Sequence, residues 1–284
     1  EVKLNSVSAK LNPFKFKISA KTIGTDIIYK DKVIKIESIR SNISLKSFMS
    51  SKFVLSEIYI STKTLKIKDI ISFYGLFSKD PKFFIVKQFI KNGYIIADLK
   101  IEFDELGNIK KNYKLNGLIK DGQVSLFKKY NFNKINFLFE INEKELKFND
   151  IKLSLNKNNI LLPKLIASKK NNEYLISGTL DNQDTKLGKR ELKNLIREDK
   201  LNLDIYEIIF SSNNNFKFNI DKSLKIKNLK INSEIKIEKL KLKNSFKLKN
   251  IFTKIKQDIL FKNQKIKLDY EKDNLNIIGQ GEIF

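Results

Sequence analysis

The chain has 284 residues, with 56 Lys+Arg against 32 Asp+Glu, a formal charge of +24, and no His, Cys or Trp. Those zeros exclude Ser-His and Cys-His nucleophile pairs, zinc sites of the usual N/S type, iron–sulfur clusters and disulfides. Carboxylates, Lys, Tyr and hydroxyls are what remains for acid–base work, so the chain reads as a non-enzyme without metal or cofactor.

The basic excess does not read as a nucleic-acid signal. Only Arg40, Arg190 and Arg197 supply the guanidinium that contacts phosphate and guanine in bidentate fashion. Lysines are spread along the chain rather than gathered in a block, and Lys, Asn, Ile and Phe are enriched together, as an A/T-rich coding bias produces. The expectation is no nucleic acid, and a surface drawn to membranes through anionic headgroups. The longest apolar runs, Phe83-Phe84-Ile85-Val86 and Tyr94-Ile95-Ile96-Ala97, are far short of the roughly 20 residues of a membrane span. Both ends lie in alternating sequence (Val2 and Leu4, Ile283-Phe284), so the chain is expected to be a segment of a longer protein.

In chain order, residues 1–68 read as an N-terminal β segment. Alternation starts at Phe14-Lys-Phe16-Lys-Ile18 and continues from Val54 to Ile60 and in Leu65-Lys-Ile67. Period two, with apolar residues on one side and Lys, Asn or Glu on the other, marks half-buried antiparallel strands. Residues 69–93 change to helical spacing: Ile70, Phe73, Tyr74 and Phe77, then Phe83, Val86, Phe89 and Ile90. Asp80-Pro81 suits an N-cap and first turn, and Lys91-Asn92-Gly93 a stop, so this insert is predicted as two short helices broken near 78–80. It would pack on the sheet, cap one end of its apolar face, or touch the membrane through Phe73, Phe77, Phe83 and Phe84.

Residues 94–284 return to alternation. Leu99-Lys-Ile101-Glu-Phe103, Tyr113-Lys-Leu115, Ile135 to Ile141, Leu146-Lys-Phe148 and Ile151 to Leu155 come first. Phe216-Lys-Phe218-Asn-Ile220, Leu224-Lys-Ile226, Ile235-Lys-Ile237 and Leu240-Lys-Leu242 follow, then Phe246-Lys-Leu248, Ile266 to Tyr270 and Leu275-Asn-Ile277. Turn chemistry falls at Leu106-Gly107-Asn108, at Lys120-Asp121-Gly122, and over 156–159, 169–172 and 211–215. A short amphipathic helix is predicted near 186–198, from Leu187, Glu191, Leu192, Leu195 and Ile196; Ile251, Ile255 and Ile259 fit a helix turn or a strand. Parity slips at Asn149-Asp150, at Lys227-Asn228 and within Val33 to Leu45 predict β-bulges. An internal echo places Gly at the fifth position of three strands, at Gly117, Gly178 and Gly279.

A sheet with one apolar face must cover it with a second sheet, by closure, with helices, or with a ligand that is itself apolar. A sandwich or barrel is the ordinary solution. Against closure stand the scarcity of Gly and Pro corners and a Lys-rich face that is uniform along the chain. Aromatic girdles and even strands of a membrane barrel are not evident. The expected fold is mainly β: an elongated, curved antiparallel sheet forming an open groove or half-barrel, with two or three short helices.

The stretches Val33 to Leu45 and Phe53 to Ile67 resemble the N-terminal region of AsmA-like proteins. Tyr113 to Leu126, Phe137 to Leu155 and Tyr174 to Asn182 are also similar to AsmA-like and TamB-like proteins of Gram-negative bacteria. The resemblance implies a repeating β-groove of the bridge-like lipid-transfer kind, lying in the periplasm and anchored in the inner membrane by an N-terminal helix that precedes this segment. It implies carriage of phospholipid toward the outer membrane and, with it, a part in outer-membrane biogenesis and contacts with other envelope proteins.

Candidate groove-lining residues are Leu99, Ile101, Phe103, Leu115, Ile135, Phe137, Phe139, Ile141, Phe148 and Leu153 in the first half of the β region. In the second half they are Phe216, Phe218, Ile220, Ile226, Ile237, Leu242, Leu268 and Ile277. Ordinary core residues would show the same alternation. Asp104-Glu105 and Glu143/Glu145 are read as solvated turn carboxylates, and Asn213 to Asn215 as a loop. The alternatives to lipid transport are an envelope assembly factor for outer-membrane proteins and a packed β-sandwich interaction domain.

Overall fold

Alternation builds antiparallel strands along nearly the whole chain. The structure, a computed structural model, describes residues 1–14, 16–44, 55–77, 87–126, 130–155, 158–171, 173–189, 191–192, 205–223, 225–242 and 258–283. It has two compact units, Glu1–Asn156 and Lys157–Phe284. The first contains β1 (Val2–Lys3), β2 (Ser6–Asn12), β3 (Lys17–Tyr29), β4 (Lys32–Ser44), β5 (Leu55–Thr62), β6 (Leu65–Lys66) and helix α1 (Ile67–Tyr74). It continues with β7 (Ile90–Glu102), β8 (Lys114–Leu126), β9 (Tyr130–Asn142) and β10 (Glu145–Leu155). The second contains β11 (Asn158–Lys170), β12 (Glu173–Gly188), β13 (Ile205–Ile220), β14 (Ile226–Leu242), β15 (Ile259–Glu271) and β16 (Asn274–Ile283).

Strand order in the first unit is β1, β3, β4, β5, β7, β8, β9, β10, with β2 also on β3 and β6 on β7; in the second, β11 to β16 follow sequence order. The pairings are antiparallel, and among the described residues the sheet is open: it closes into no barrel and meets no second sheet. The expected mainly β, open antiparallel architecture is the one observed.

Local chemistry explains the departures from regular pairing. Residues in the left-handed region sit inside strands at Gly24, Gly93, Asp121, Lys134 and Asp150, and again at Asp184, Asn228 and Asn263. Each lies at or opposite a register break, as in an inserted-residue bulge. The predicted slip at Asn149-Asp150 is the break between Asn149 and Lys152, and that at Lys227-Asn228 faces the break between Lys217 and Asn219. The slip within Val33 to Leu45 is the break between Ile36 and Ser38.

Other expectations are corrected. Lys120-Asp121-Gly122 is a bulge within β8 rather than a turn, and residues 211–215 lie inside β13, with Ser212 to Asn215 paired on both sides. Asn side chains there find cross-strand partners: Asn213 donates to Asp181 Oδ1 at 2.6 Å and Asn214 to the Leu180 carbonyl at 3.0 Å. Phe14 and Phe16 precede β3 in a turn, Phe14 being 96% exposed. The helical insert is shorter than 69–93: α1 starts at Ile67, residues 87–89 are helical, and β7 begins at Ile90, with Lys91, Asn92 and Gly93 extended against β8. β12 runs to Gly188, so the helix placed near 186–198 does not begin before 189, and residues 189 and 191–192 are helical. Ile259 opens β15 as a strand residue. Phe83, Phe84, Leu195, Ile196, Ile251 and Ile255 lie outside the described residues.

The buried core among the described residues falls into small clusters. In the first unit Ile34, Ile36 and Leu65 are buried, with Ile27, Ile39, Ile60, Ile95 and, from α1, Ile70 and Phe73 packed around them. In the second, Leu242 and Ile259 are buried against Ile205, Leu240 and Phe261. The accessible surface is 19913 Å². Among the described residues no second sheet lies over the apolar face.

Candidate functional site

Register decides which side chains share a face, because cross-strand partners project from the same side of the pleat. In the first unit, Ile60, Leu99, Leu115, Ile141 and Leu146 are successive partners and form one row. Ala97, Gly117, Phe139 and Phe148 form the next, and Ile95, Ile119 and Phe137 a third. Ile101 pairs with Ile58 on this face, and Phe103 follows it with the same parity. Beyond the bulges at Asp121 and Lys134, Ile135 faces Gly122, and Leu153 alternates with Lys152. All ten residues proposed from the sequence in this unit thus lie on one face.

The same holds for the eight in the second unit. Phe216 belongs to a row with Leu165, Gly178, Ile231, Tyr270 and Leu275. Phe218 pairs with Ile176, Ile220 with Tyr174 and Ile226, and Leu268 with Ser233 and Ile277. Ile237 and Leu242 lie further along, opposite Phe210 and Ile259.

Burial separates this face from a filled core. Of the eighteen, Phe139, Ile237 and Leu242 are buried, Ile226 and Ile277 are 54% and 56% exposed, and the other thirteen are half-buried. Aromatic rings pack side by side on it: Phe137 meets Phe139 and Phe148 edge-on at 6.3 and 5.7 Å, and Phe216 stacks on Phe218 at 6.0 Å. Helix α1 roofs only the region of Ile34, Ile36 and Leu65; Phe77 beyond it stacks on Tyr29 at 4.6 Å.

Two features of this face were missed in the sequence. Gly117 and Gly178 sit opposite Phe139 and Phe216, and a Cβ on either would come within 2.5 Å and 2.8 Å of the facing ring's Cζ. Ring over glycine is how an aromatic residue covers a bare stretch of strand. Second, a polar band crosses the apolar face of the second unit. Asn182 donates to Thr185 Oγ1 at 2.9 Å and accepts from the Ser212 hydroxyl, while Asn214 donates to Ser212 Oγ at 2.8 Å; Ser233 is buried beside them as the partner of Asn214. Ser212 and Asn214, read as turn and loop residues, supply this band because Ser212 bonds to Asn182 and Asn214 to the Leu180 carbonyl, on a strand some thirty residues away.

The opposite face carries lysines, amides and carboxylates. In the first unit Glu57 accepts from Asn42 at 2.6 Å and Tyr59 at 2.9 Å, and Lys100 bridges Glu57 at 3.5 Å and Glu102 at 2.7 Å. Burial alone pushes the Glu57 carboxyl up, but the hydrogen bonds from Asn42 and Tyr59 with the Lys100 charge hold it below the ordinary range. In the second unit Lys239 and Lys186 clamp Glu207 at 2.7 and 2.9 Å and hold its carboxyl down at about 2. These carboxylates are held ionised by cations, the opposite of a general acid.

A cavity of about 510 Å³ opens in the second unit. Its side chains include Lys164, Thr179, Asn215, Asn232 and Asp269 in one row and Ile166, Ser177, Lys217, Lys230 and Glu271 in the next. Both rows alternate with the row of Phe216, so the trough lies on the polar face.

No family model, curated protein or solved structure matches the chain. No helix among the described residues is long and apolar enough to cross a membrane.

Proposed function

We propose that the chain is a piece of an AsmA-like or TamB-like lipid-transfer protein of the Gram-negative periplasm, and that its apolar sheet face carries phospholipid acyl chains. The observation that supports this reading is the face itself: apolar rows three to six strands wide, mostly half-buried, with no second sheet over them among the described residues. A fully buried methylene contributes about 0.8 kcal/mol and one covered on a single side a part of that, so the many methylenes of an acyl-chain pair hold it without any polar contact. No bond is made or broken, and movement needs only a path of low relief. In the second unit that path divides around the band of Asn182, Ser212 and Asn214, leaving Ile235 and Ile266, cross-strand partners, as its apolar continuation.

Mass spectrometry of organic extracts from purified protein tests this. Stoichiometric phospholipid is expected from the native chain, and Phe139→Asp and Phe218→Asp are expected to lower its yield several-fold with the strand signal in circular dichroism unchanged. Protein that carries no lipid, or variants that carry as much as the native chain, would sink the reading.

A further inference from the structure

We propose that the trough on the polar face of the second unit is a binding site for the phosphate ester of a polyol or sugar. Its floor is made by β12, where Ser177 and Thr179 present short side chains to the polar face, which is why a depression exists there. Lys164 on β11 and Lys217 on β13 stand on either side of that floor. They are separated by two strand spacings and offset by two residues along the strands, about 12 Å in all, and each lysine side chain can reach inward from its wall. Among the described residues neither has a carboxylate within ion-pair distance, whereas most of the acidic partners nearby are taken by other cations. Lys217 also lies directly opposite Lys230, an arrangement of like charges that destabilises a strand pair. Glu271 neutralises Lys230 and leaves Lys217 uncompensated.

The trough is polarised along its length. At the β11 to β13 end stand the two free ammonium groups and the Ser177 hydroxyl, a donor set for a dianionic phosphate. At the β14 to β15 end, Asp269 and Glu271 present carboxylates that would repel phosphate but accept from hydroxyl groups; Asn232 and Lys230 hold them in place. A phosphate at one end and hydroxyls at the other describe a glycerol phosphate or a sugar phosphate, and about 510 Å³ accommodates either. Inorganic phosphate would use one end only. The moiety can arrive as a soluble ester or as a lipid headgroup. Because the trough is on the face opposite the acyl rows, the inference stands or falls apart from the lipid-carriage reading.

Thermal denaturation of the full chain at constant ionic strength, with glycerol 3-phosphate, inorganic phosphate or glycerol added, tests the site. Glycerol 3-phosphate is expected to raise Tm more than either fragment. The double variant Lys164→Gln/Lys217→Gln is expected to weaken that response by about tenfold or more, since each lysine makes a charge-assisted contact. Ser177→Leu, which fills the floor and keeps both lysines, is expected to abolish it, and Lys110→Gln/Lys111→Gln, with the same charge change in an exposed loop, to leave it intact. Co-sedimentation with phosphatidylglycerol vesicles identifies the source. Weakening specific to the trough variants assigns the site to a headgroup, and binding of the soluble ester without it assigns the site to a free polyol phosphate. Equal responses to glycerol 3-phosphate and to chloride, or a Lys164→Gln/Lys217→Gln variant that binds like the native chain, overturn the proposal.

Discussion

Gly117 lies under the ring of Phe139, and the Ile96 carbonyl closes the space on its other side. A methyl group there meets backbone as well as ring, so Gly117→Ala forces a shift that a well-packed pair resists. We expect a loss of about 1–3 kcal/mol in urea unfolding, as for other overpacked sites, and a smaller loss in a Phe139→Ala background, where one of the two obstacles is gone. On the polar face Glu57 is the residue to titrate. Its carboxyl is held below 4.5 in the folded chain, so it contributes stability that is complete above pH 4.5 and is lost as pH falls through the depressed value. Lys100 works in the other sense: its raised value keeps it charged throughout this range. Glu57→Gln should therefore cost about 1.5–3 kcal/mol at pH 7, typical of hydrogen bonds to a charged group, and flatten the acid limb of a stability profile measured below pH 4.5. A variant whose acid limb matches the native one would show that the carboxylate network contributes nothing.

Bulges are the elements that shape these strands, and several are held by residues that dislike the conformation. Lys134 adopts φ 52° in the middle of β9 with its side chain in solvent. The left-handed region costs a non-glycine residue about 1–2 kcal/mol, partly offset against the greater freedom that glycine loses on folding. Lys134→Gly is expected to stabilise the chain by about 0.5–1 kcal/mol, and Lys134→Val, β-branched at the same angle, to destabilise it by more than that, both read from urea midpoints. Parity slips made three of the register breaks legible in the sequence, and alternation made the face of every candidate residue legible. What local sequence hid was decided by distant partners. Asp121-Gly122 has the composition of a turn, and only pairing with Ile135 and Asn136 shows it to be a kink inside β8. Ser212 and Asn214 look like loop residues until β12 and β14 supply their hydrogen bonds. Strand propensity depends on such neighbours more than helix propensity does, which is also why Lys186 to Gly188 read as helix and fold as strand. The glycine echo was visible as a spacing; its meaning, a seat for a phenylalanine ring, needed the register.

At the scale of the whole molecule, an open sheet and two small core clusters among the described residues leave apolar rows without a second layer. Hydrophobic burial is the main favourable term in folding, so the uncovered rows contribute little until something occupies them. An occupant that binds only the folded sheet adds RT ln(1 + [L]/Kd), about 2.7 kcal/mol at a hundredfold excess over Kd. Protein stripped of lipid by organic extraction on a column and refolded is therefore expected to melt at a lower temperature than protein as purified. A lysophospholipid added below its micelle concentration should restore Tm in proportion to the logarithm of its concentration. The same addition to Phe139→Asp should restore less, because a buried carboxylate on the path penalises an apolar occupant whatever its headgroup. If stripping leaves Tm unchanged and the lysophospholipid moves native and variant chains alike, the exposed rows are not a lipid-binding surface.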